Sequence, residues 1–425
     1  MPLKTVEVPT GSQVLDWEVP QEWNIRDAYI ADADGNRLVD YQASNLHVVN
    51  YSQPIKQRMR WDELRDHLTT LPEQPDWIPY RTGYFRDLWG FCLTHRKYLE
   101  LDQTPDREVE VCIDATFEDG ALSYGELRLQ GELDDEVLIS THICHPSLAN
   151  DNLSGIVVAT ELARQLAALP RRYTYRFIFV PATIGAITWL HQNRRNLHRV
   201  KHGMVLSGVG NADELTYKRS RLGNAKVDRA VEHVLKQRGN TARIRDFAPT
   251  GYDERQFCSP GFNLPMGCLM RTPDGEYPEY HTSADNLEFL SEASLADTVA
   301  VCLSVVDVLE HDRCYVNKNP FGEPQLGRRG LYRAYGEQLA NPLLQQAILW
   351  VLNLSDSRHG LLEVAERSEI PFHLIKEAAG LLERHALIAR SESAVNPPAV
   401  DANQAWTHES LLNQIRIETP LLDAH

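Results

Sequence analysis

The chain has 425 residues, of which 43% are hydrophobic and 24% are charged, a composition typical of a globular protein with two or three domains. The net charge of −16 disfavours binding to nucleic acid or to an anionic membrane, and no apolar run approaches the roughly 18 residues of a membrane-spanning helix. The first residues, Met-Pro-Leu-Lys-Thr-Val-Glu, lack the apolar core of a signal peptide, and seven scattered cysteines predict reduced thiols in the cytoplasm.

The first 130 residues predict strands and a small inserted module. Residues 1–44 are rich in strand-forming residues and are assigned to the main domain. Residues 45–130 are assigned to an inserted small α+β domain, with a strand at 46–49, a helix at 61–71, an aromatic segment at 84–92, and strands at 108–115 and 122–129. Dense aromatic residues are more typical of a core than of a binding site. A module inserted just before the next motif can nevertheless cover a site as a lid.

Metal-ligand side chains follow the next predicted strand. Residues 136–139 predict a buried strand, and residues 156–169 predict a helix with apolar residues at helical spacing. The loop between them carries His142, His145 and Asp151, at the strand end where open α/β sheets bind ligands. Imidazole nitrogens and carboxylate oxygens are ordinary zinc ligands. The loop therefore predicts a metal site; the alternative is a helix-capping aspartate beside two polar turn histidines.

Strand and helix patterns alternate from residue 131 to about 312, which argues for a βαβ sandwich. Strands are predicted at 175–180 and 204–206, and helices at 184–196, 224–238 and 293–309. The main domain is therefore assigned to residues 1–44 and 131–325.

The last part of the chain predicts three helices and a wing. After a turn-rich linker at 317–329, helices are expected at 343–352, 361–368 and 371–385, with a wing beginning at 387–389. This order is similar to a winged helix, and residues 335–425 are assigned to it. Between residues 351 and 390, six acidic residues stand against five basic ones, whereas a DNA reader should be basic. We therefore expect a packing module or homo-oligomer contact, and no binding to nucleic acid.

The pattern His142-x-x…Asp151-Asn152-x-Ser154-Gly155 resembles the zinc-dependent exopeptidase family of bacterial leucyl aminopeptidases, glutamate carboxypeptidase and glutaminyl cyclase. Nearly the whole chain is more closely similar to a bacterial aminopeptidase-like group that often sits among polysaccharide-biosynthesis genes. This resemblance implies an α/β fold, namely a zinc-exopeptidase-like three-layer αβα sandwich with a mixed sheet, an inserted β-rich domain and a C-terminal winged-helix domain.

The resemblance also implies the other half of the site. In the family, Tyr-His-Thr-x-x-Asp supplies the last zinc ligand, which maps to His281, while Asp285 would steady the loop. The segment that begins at Asp253 is similar to the loop that lines the family's substrate cleft. The candidate substrate-binding residues are Asp253, Arg255, Tyr277 and Tyr280, and the candidate catalytic carboxylates are Glu254, Glu276 and Glu279.

The chain departs from the family where further acids are expected. Ala182 and Thr183 replace a Glu-Glu pair that provides a general base and then a zinc ligand. The strand that ends near Ser207 lacks the usual acid, and Cys144 replaces an aspartate. These losses disfavour a site with two zinc ions.

One zinc ion remains the expected cofactor. Its ligands would be Asp151, His281 and one of His142 and His145, since three protein ligands and an open position are typical of catalytic zinc. The base for the attacking water would then come from Glu254, Glu276 or Glu279.

Three functions remain open at this point. The favoured one is a zinc-dependent hydrolase of an amide or peptide bond in a small-molecule or peptidyl substrate, such as an aminoacyl group or an N-acylated sugar. The missing glutamate at Ala182 favours instead a binding or scaffold protein that keeps the exopeptidase fold without catalysis. A cyclising or amide-exchange enzyme of the glutaminyl-cyclase type shares the single-metal arrangement with the hydrolase.

Overall fold

The computed structural model describes residues 3–239, 241–331 and 342–391 of the chain. A mixed sheet of eight strands forms the centre of the main domain. In spatial order its strands are Lys4–Pro9, Ala121–Leu129, Thr174–Val180, Glu136–His142, Val200–Leu206, Met266–Met270, Thr216–Lys218 and Arg243–Arg245. Glu136–His142 has a parallel neighbour on each side, and all of its residues are buried. Burial on both faces favours consecutive apolar residues, which explains the sequence Val-Leu-Ile at 137–139.

Helices pack on both faces of this sheet. On one face, Ser154–Ala167, Lys226–Gln237 and Glu292–His311 share a buried apolar cluster with the strands. On the other face lie Ile184–Asn193 and the short helix Glu254–Phe257. The main domain is therefore a three-layer αβα sandwich with a mixed sheet. The strands predicted at 136–139, 175–180 and 204–206 and the helices predicted at 156–169, 184–196, 224–238 and 293–309 are confirmed.

A second, antiparallel sheet forms the inserted domain. In spatial order its strands are Arg37–Asp40, Glu22–Ala31, Glu108–Glu118 and Ile55–Arg60. The strand pair Leu68–Thr69 with Phe91–Cys92 and the helices Trp61–Leu64 and His95–Leu101 complete this domain. The hairpin of Gln13–Val14 with Trp17–Glu18 precedes it, and its Val14 packs in the main domain. Residues Trp61, Leu64 and Phe91 are fully buried in the core of the inserted domain.

Two predicted elements of the inserted domain were wrong. The strand expected at 46–49 is instead a 3-10 turn, Asn45–His47. The helix expected at 61–71 ends at Leu64 and is followed by the 3-10 turn Arg65–His67. It stops there because Leu68–Thr69 extends to pair with Phe91–Cys92. A tertiary pairing of this kind overrides the helical spacing of the apolar residues.

The two sheets divide the chain differently from the predicted range of 45–130. Glu22–Ala31 pairs with Glu108–Glu118 in the small sheet, whereas Ala121–Leu129 pairs with Lys4–Pro9 in the main sheet. The chain passes from one sheet to the other in the tight turn at 119–120. We therefore propose domain boundaries near residues 20 and 120.

A winged helix follows the main domain. Its three-stranded sheet is formed by Asp356–Gly360, Cys314–Asn317 and Ile388–Arg390, and its helices are Pro342–Leu354, Leu361–Ser368 and Phe372–Arg384. The three predicted helices and the wing are confirmed, but the strand Cys314–Asn317 places the start of this unit before residue 335. Residues 332–341 and 392–425 of the predicted domain lie outside the described residues.

The winged helix packs against the main domain through ion pairs. Lys376 Nζ lies 2.6 Å from both carboxylate oxygens of Asp307, and Arg229 pairs with Glu366. Within the described ranges, no helix has both the length and the apolar character needed to cross a bilayer.

Candidate metal centre

Three parallel strands end together at the candidate metal site. Val180 lies opposite His142 in one neighbouring strand, and Val205 lies opposite Ser140 in the other. Loops that leave the carboxyl ends of such strands form the ligand-binding crevice of open α/β sheets. His142 is the last residue of the central strand and therefore lies at this crevice.

Three imidazoles converge on the carboxylate of Asp151. Nε2 of His142 lies 2.7 Å from Oδ1, and Nε2 of His281 lies 3.0 Å from Oδ2. Nδ1 of His145 lies 3.4 Å from Oδ2, but this buried nitrogen has no hydrogen-bond partner among the described residues. Ligand atoms of His142, His145 and Asp151 lie within 4.8 Å of one another. A buried imidazole nitrogen without a partner, beside further imidazoles and a carboxylate, fits the donor set of zinc.

The electrostatics of this cluster suit a cation. Burial would raise the pKa of Asp151, but its contacts with the three imidazoles outweigh burial and hold that pKa well below its ordinary value. Burial lowers the pKa of His142 despite the neighbouring Asp151 carboxylate. A negative carboxylate and a neutral imidazole are the protonation states in which these groups bind metal.

Asp285 holds the loop that carries Asp151. Its two carboxylate oxygens accept hydrogen bonds from the backbone N–H groups of Asn150, at 2.5 Å, and of Asp151, at 2.9 Å. Asn152 connects the loop to the strand ends: its Nδ2 donates to Thr141 Oγ1 at 2.7 Å. These bonds fix the position of Asp151 from both sides, in agreement with the steadying role that the resemblance implied for Asp285.

Aromatic rings enclose the imidazoles. Tyr280 stacks on His281 with ring centroids 3.9 Å apart, and Tyr252 stacks on His142 at 5.2 Å. Tyr80, from the inserted domain, packs edge-on against both His145 and His281, at 5.3 and 5.1 Å. The backbone N–H of Tyr80 also donates to the carbonyl of His281 at 2.7 Å. The inserted domain thus covers one side of the site.

Sequence reasoning missed Tyr80 and Tyr252. Tyr80 has no local signal, because its contact with His281 is made between domains and spans some two hundred positions in the chain. Tyr252 directly precedes the segment that begins at Asp253, so its neighbourhood was identified but its ring was not.

The three candidate catalytic carboxylates lie in different environments. Glu254 is fully buried and forms an ion pair with Lys218. Both carboxylate oxygens of Glu276 accept hydrogen bonds from the Arg245 guanidinium, at 2.5 and 2.7 Å. Glu279 is half-buried, and its carboxylate makes no hydrogen bond or ion pair with another described residue. The three carboxylates therefore differ in burial and in charged partners.

The four candidate substrate-binding residues differ in their contacts. The hydroxyl of Tyr277 lies 3.5 Å from Asn150 Nδ2, and Tyr280 covers His281. Arg255 Nη2 donates to Thr183 Oγ1 at 3.3 Å. Asp253 is buried, and its Oδ1 has no hydrogen-bond partner among the described residues.

The positions that would serve a second metal carry no acid. Ala182 follows the strand opposite His142, and its backbone N–H lies 3.3 Å from Cys144 Sγ. Thr183 bonds to Arg255, and the N–H of Gly208 donates to Asn152 Oδ1 at 3.1 Å. None of Ala182, Thr183, Cys144 and Gly208 therefore offers a carboxylate to a metal ion.

The buried Asp253 carboxyl predicts a stability that depends on pH. Burial, with a smaller contribution from Glu254, raises its pKa to about 8, against about 3.9 in an unfolded chain. The unfolded chain therefore loses this proton first, and the folded protein loses stability as the pH rises from about 4 to about 8. The asparagine of Asp253→Asn cannot ionise. The free energy of unfolding of this variant, relative to that of the parent, should therefore rise by about 2 kcal/mol or more between pH 5 and pH 8.

Urea denaturation at the two pH values measures this difference. Asp16→Asn changes an exposed aspartate and serves as the control, which should follow the parent at both values. If the stability of Asp253→Asn changed with pH as much as that of the parent, Asp253 would not be a buried, neutral carboxyl.

The fold and the site define an exopeptidase-like α/β domain joined to a winged helix. A family model described as "Domain of unknown function (DUF4910)" matches residues 1–312, and a winged helix-turn-helix model matches residues 313–390. The chain therefore belongs to the DUF4910 family.

Known proteins resemble the chain over most of its length. A protein from Clostridium acetobutylicum, provisionally named as a polysaccharide biosynthesis protein with an aminopeptidase-like domain, is 46% identical over 388 residues, which cover 91% of this chain and 88% of that protein. A crystal structure from the same organism, provisionally described as a peptidase, shares 44% identity with a TM-score of 0.86 and covers 92% of this chain and 89% of its own.

One more distant structure resembles the chain in its fold alone. A zinc aminopeptidase from Bacillus subtilis has a TM-score of 0.53 and 16% identity, and the match covers 72% of this chain and 84% of that one. The two Clostridium acetobutylicum relatives and the winged-helix model confirm the resemblance to the aminopeptidase-like group.

Proposed function

We propose that this protein is a zinc-dependent hydrolase of amide or peptide bonds with a single metal site. The observation that carries the proposal is the convergence of His142, His145 and His281 on the buried carboxylate of Asp151. When bound, zinc supplies Lewis acidity at the carbonyl of the scissile amide. We propose Asp151, His281 and one of His142 and His145 as ligands, because three protein ligands leave an open position at a catalytic zinc.

The chain's own residues supply orientation and enclosure. Asp285 fixes the Asp151 loop through two backbone N–H groups. Tyr80, Tyr252 and Tyr280 pack on the imidazoles and exclude water from their faces, which strengthens electrostatic interactions inside the site. Tyr80 covers one side of the site, which supports a small substrate.

We assign proton transfer to Glu279. Glu254 and Glu276 are engaged by Lys218 and Arg245, whereas Glu279 lies two residues before His281 and its carboxylate has no partner among the described residues. A positioned base typically contributes about 10²–10⁴-fold to a rate. Glu279→Gln should therefore lower zinc-dependent hydrolysis by at least about 10²-fold and leave the zinc content unchanged.

The test is hydrolysis by protein that has been stripped with a chelator and reloaded with one equivalent of zinc. Aminoacyl anilides and aminoacyl amino sugars are suitable substrates, because the name of the Clostridium acetobutylicum relative supports a substrate from polysaccharide biosynthesis. Glu276→Gln is the matched control and should retain the parent's rate. A rate independent of zinc would contradict the proposed function.

A second candidate is a binding protein without catalysis. It is favoured by Ala182 and Thr183, which stand where the resemblance implies a base and a zinc ligand. Such a protein would bind a ligand at the crevice and release no product with or without zinc.

We propose that the winged helix is a packing module rather than a DNA reader, with homo-oligomer contacts through its remaining surface. Lys376, on its third helix, is paired with Asp307 of the main domain, so it does not offer its charge to phosphate. The full chain should show no measurable binding to a duplex at physiological salt. Micromolar, salt-sensitive binding in a gel-shift experiment would contradict this proposal.

We also propose a cytoplasmic location. All seven cysteines are unpaired in the structure, which is typical of reducing compartments.

A further inference from the structure

A cavity of about 300 Å³ opens on the inserted domain, away from the imidazole cluster. Four aromatic side chains line it, together with polar side chains that include Gln53 and Asp87; the aromatic residues are Tyr51, Tyr84, Phe85 and Phe117. Its volume is at the lower end of the roughly 300–1,000 Å³ typical of small-molecule sites. The cavity therefore has room for one small ring.

The aromatic wall is preformed and partly exposed. The rings of Tyr51 and Tyr84 meet edge to face at 4.9 Å, and those of Tyr84 and Phe85 lie 4.3 Å apart. Trp23 stacks behind Tyr51 at 5.7 Å. Phe85 nevertheless exposes 53% of its surface, so an apolar ring face is presented to a ligand.

Two of these residues adopt an uncommon backbone conformation. Tyr51 has a φ of 65° and Phe85 a φ of 60°, in the left-handed region that bulky side chains rarely occupy. Such strain is concentrated at ligand sites, where the surrounding structure holds a side chain in a required orientation. Here the strained positions are two rings of one cavity.

Polar groups stand at the edge of the wall. Gln53 Nε2 donates to Asp87 Oδ1 at 3.1 Å, which leaves the other amide and carboxylate oxygens open. The exposed guanidinium of Arg86 has no ion pair or hydrogen bond with the described residues, and neither does the hydroxyl of Tyr51 or Tyr84. The cavity thus combines apolar ring faces with both donors and acceptors.

The cavity and the metal centre lie at two ends of one short segment. Tyr80 donates its N–H to His281, and Tyr84 is four residues further along, a span of at most about 14 Å. Asn50 connects the same two places: its Nδ2 lies 3.5 Å from the Tyr80 hydroxyl, and its carbonyl accepts from Gly83 N–H at 2.7 Å. The cavity and the metal centre are therefore joined by one short segment that is held by hydrogen bonds.

We propose that this cavity binds a neutral pyranose ring of the substrate. The C–H face of a pyranose is apolar and fits the exposed rings, while its hydroxyls fit the amide, carboxylate, guanidinium and phenol groups. An aromatic peptide side chain would cover these polar groups without pairing them, which is unfavourable. The net charge of −16 and the carboxylate of Asp87 disfavour a phosphate.

Sugar binding by the cavity does not require catalysis. The proposal rests on the proposed hydrolase only in that the metal centre would act on another part of the same substrate. Its test is therefore a binding measurement. Methyl glycosides of glucose, galactose, mannose and N-acetylglucosamine are titrated into the full chain, and binding is followed by saturation-transfer NMR. At least one glycoside should bind the parent, and Phe85→Ala should bind it at least about fivefold more weakly, because one stacking face is lost.

Two variants make the result specific. Phe321→Ala removes a phenylalanine that is 99% exposed outside the cavity, and it should bind like the parent. Tyr84→Phe removes only a hydroxyl and should weaken binding while the ring contacts remain. Equal binding by the parent, Phe85→Ala and Tyr84→Phe would overturn the proposal.

Two further arms separate the outcomes. His281→Ala should keep glycoside binding, so a failure of the metal proposal leaves this result unchanged. N-acetylphenylalaninamide is the competing probe: binding that depends on Phe85, with no glycoside bound, would assign the cavity to an aromatic side chain and overturn the sugar proposal. Absence of binding by every glycoside would overturn it as well.

Discussion

His281→Ala is expected to abolish stoichiometric zinc binding. His281 is the only one of the three imidazoles that comes from outside the loop of residues 142–151, and its Nε2 lies 3.0 Å from Asp151 Oδ2. Losing it leaves donors from a single loop and removes the ring on which Tyr280 stacks. Elemental analysis should give one zinc ion per parent chain and almost none for the variant.

The matched control is His198→Ala. His198 is exposed, and its Nδ1 lies 3.1 Å from the backbone carbonyl of Arg195, its one hydrogen-bond partner in the described part of the chain. This variant should hold as much zinc as the parent. A His281→Ala variant that retained one tightly bound zinc would show that the ligand set is wrong.

Ala182→Glu is expected to raise amide hydrolysis by at least about tenfold, below the 10²–10⁴-fold that a positioned base typically contributes. Ala182 follows the strand that ends beside His142, because Val180 and His142 are opposite each other in the parallel ladder. A glutamate there places a carboxylate at the position where the resemblance implies the family's base.

Initial rates with an aminoacyl anilide measure this effect, and Ala182→Gln is the control, since it has the same length without the charge. Only the glutamate should increase the rate. No gain with zinc still bound would mean that the Ala182 position does not serve the reaction. Strong hydrolysis by the unaltered chain would favour Glu279 as a sufficient base.

Local pattern predicted the central part of the fold. The buried strand Glu136–His142 and the helix Ser154–Ala167 follow from the spacing of their apolar residues. His142, His145 and Asp151 could be grouped because they share the loop between these elements. Their grouping with His281 required the resemblance, since no local spacing connects residues so far apart.

Contacts between segments that are far apart in the sequence could not be predicted from local pattern. Tyr80 reaches His281 only because residues 78–80 pair with the loop that contains His281. Glu276 looked available in the sequence, but Arg245 in the edge strand Arg243–Arg245 binds its carboxylate. The helix expected at 61–71 was shortened by the strand pairing of Leu68–Thr69. In each case the partner was fixed by tertiary structure.

The most direct test of the single-metal site is an anomalous difference map at the zinc edge, from crystals of the zinc-loaded protein. We expect one peak, within ordinary zinc–ligand distance, about 2.0–2.2 Å, of Asp151, His281 and one of His142 and His145. Two peaks in the crevice, or a peak bound by other residues, would contradict the proposed site. So would the absence of any peak from protein that carries one zinc per chain in solution.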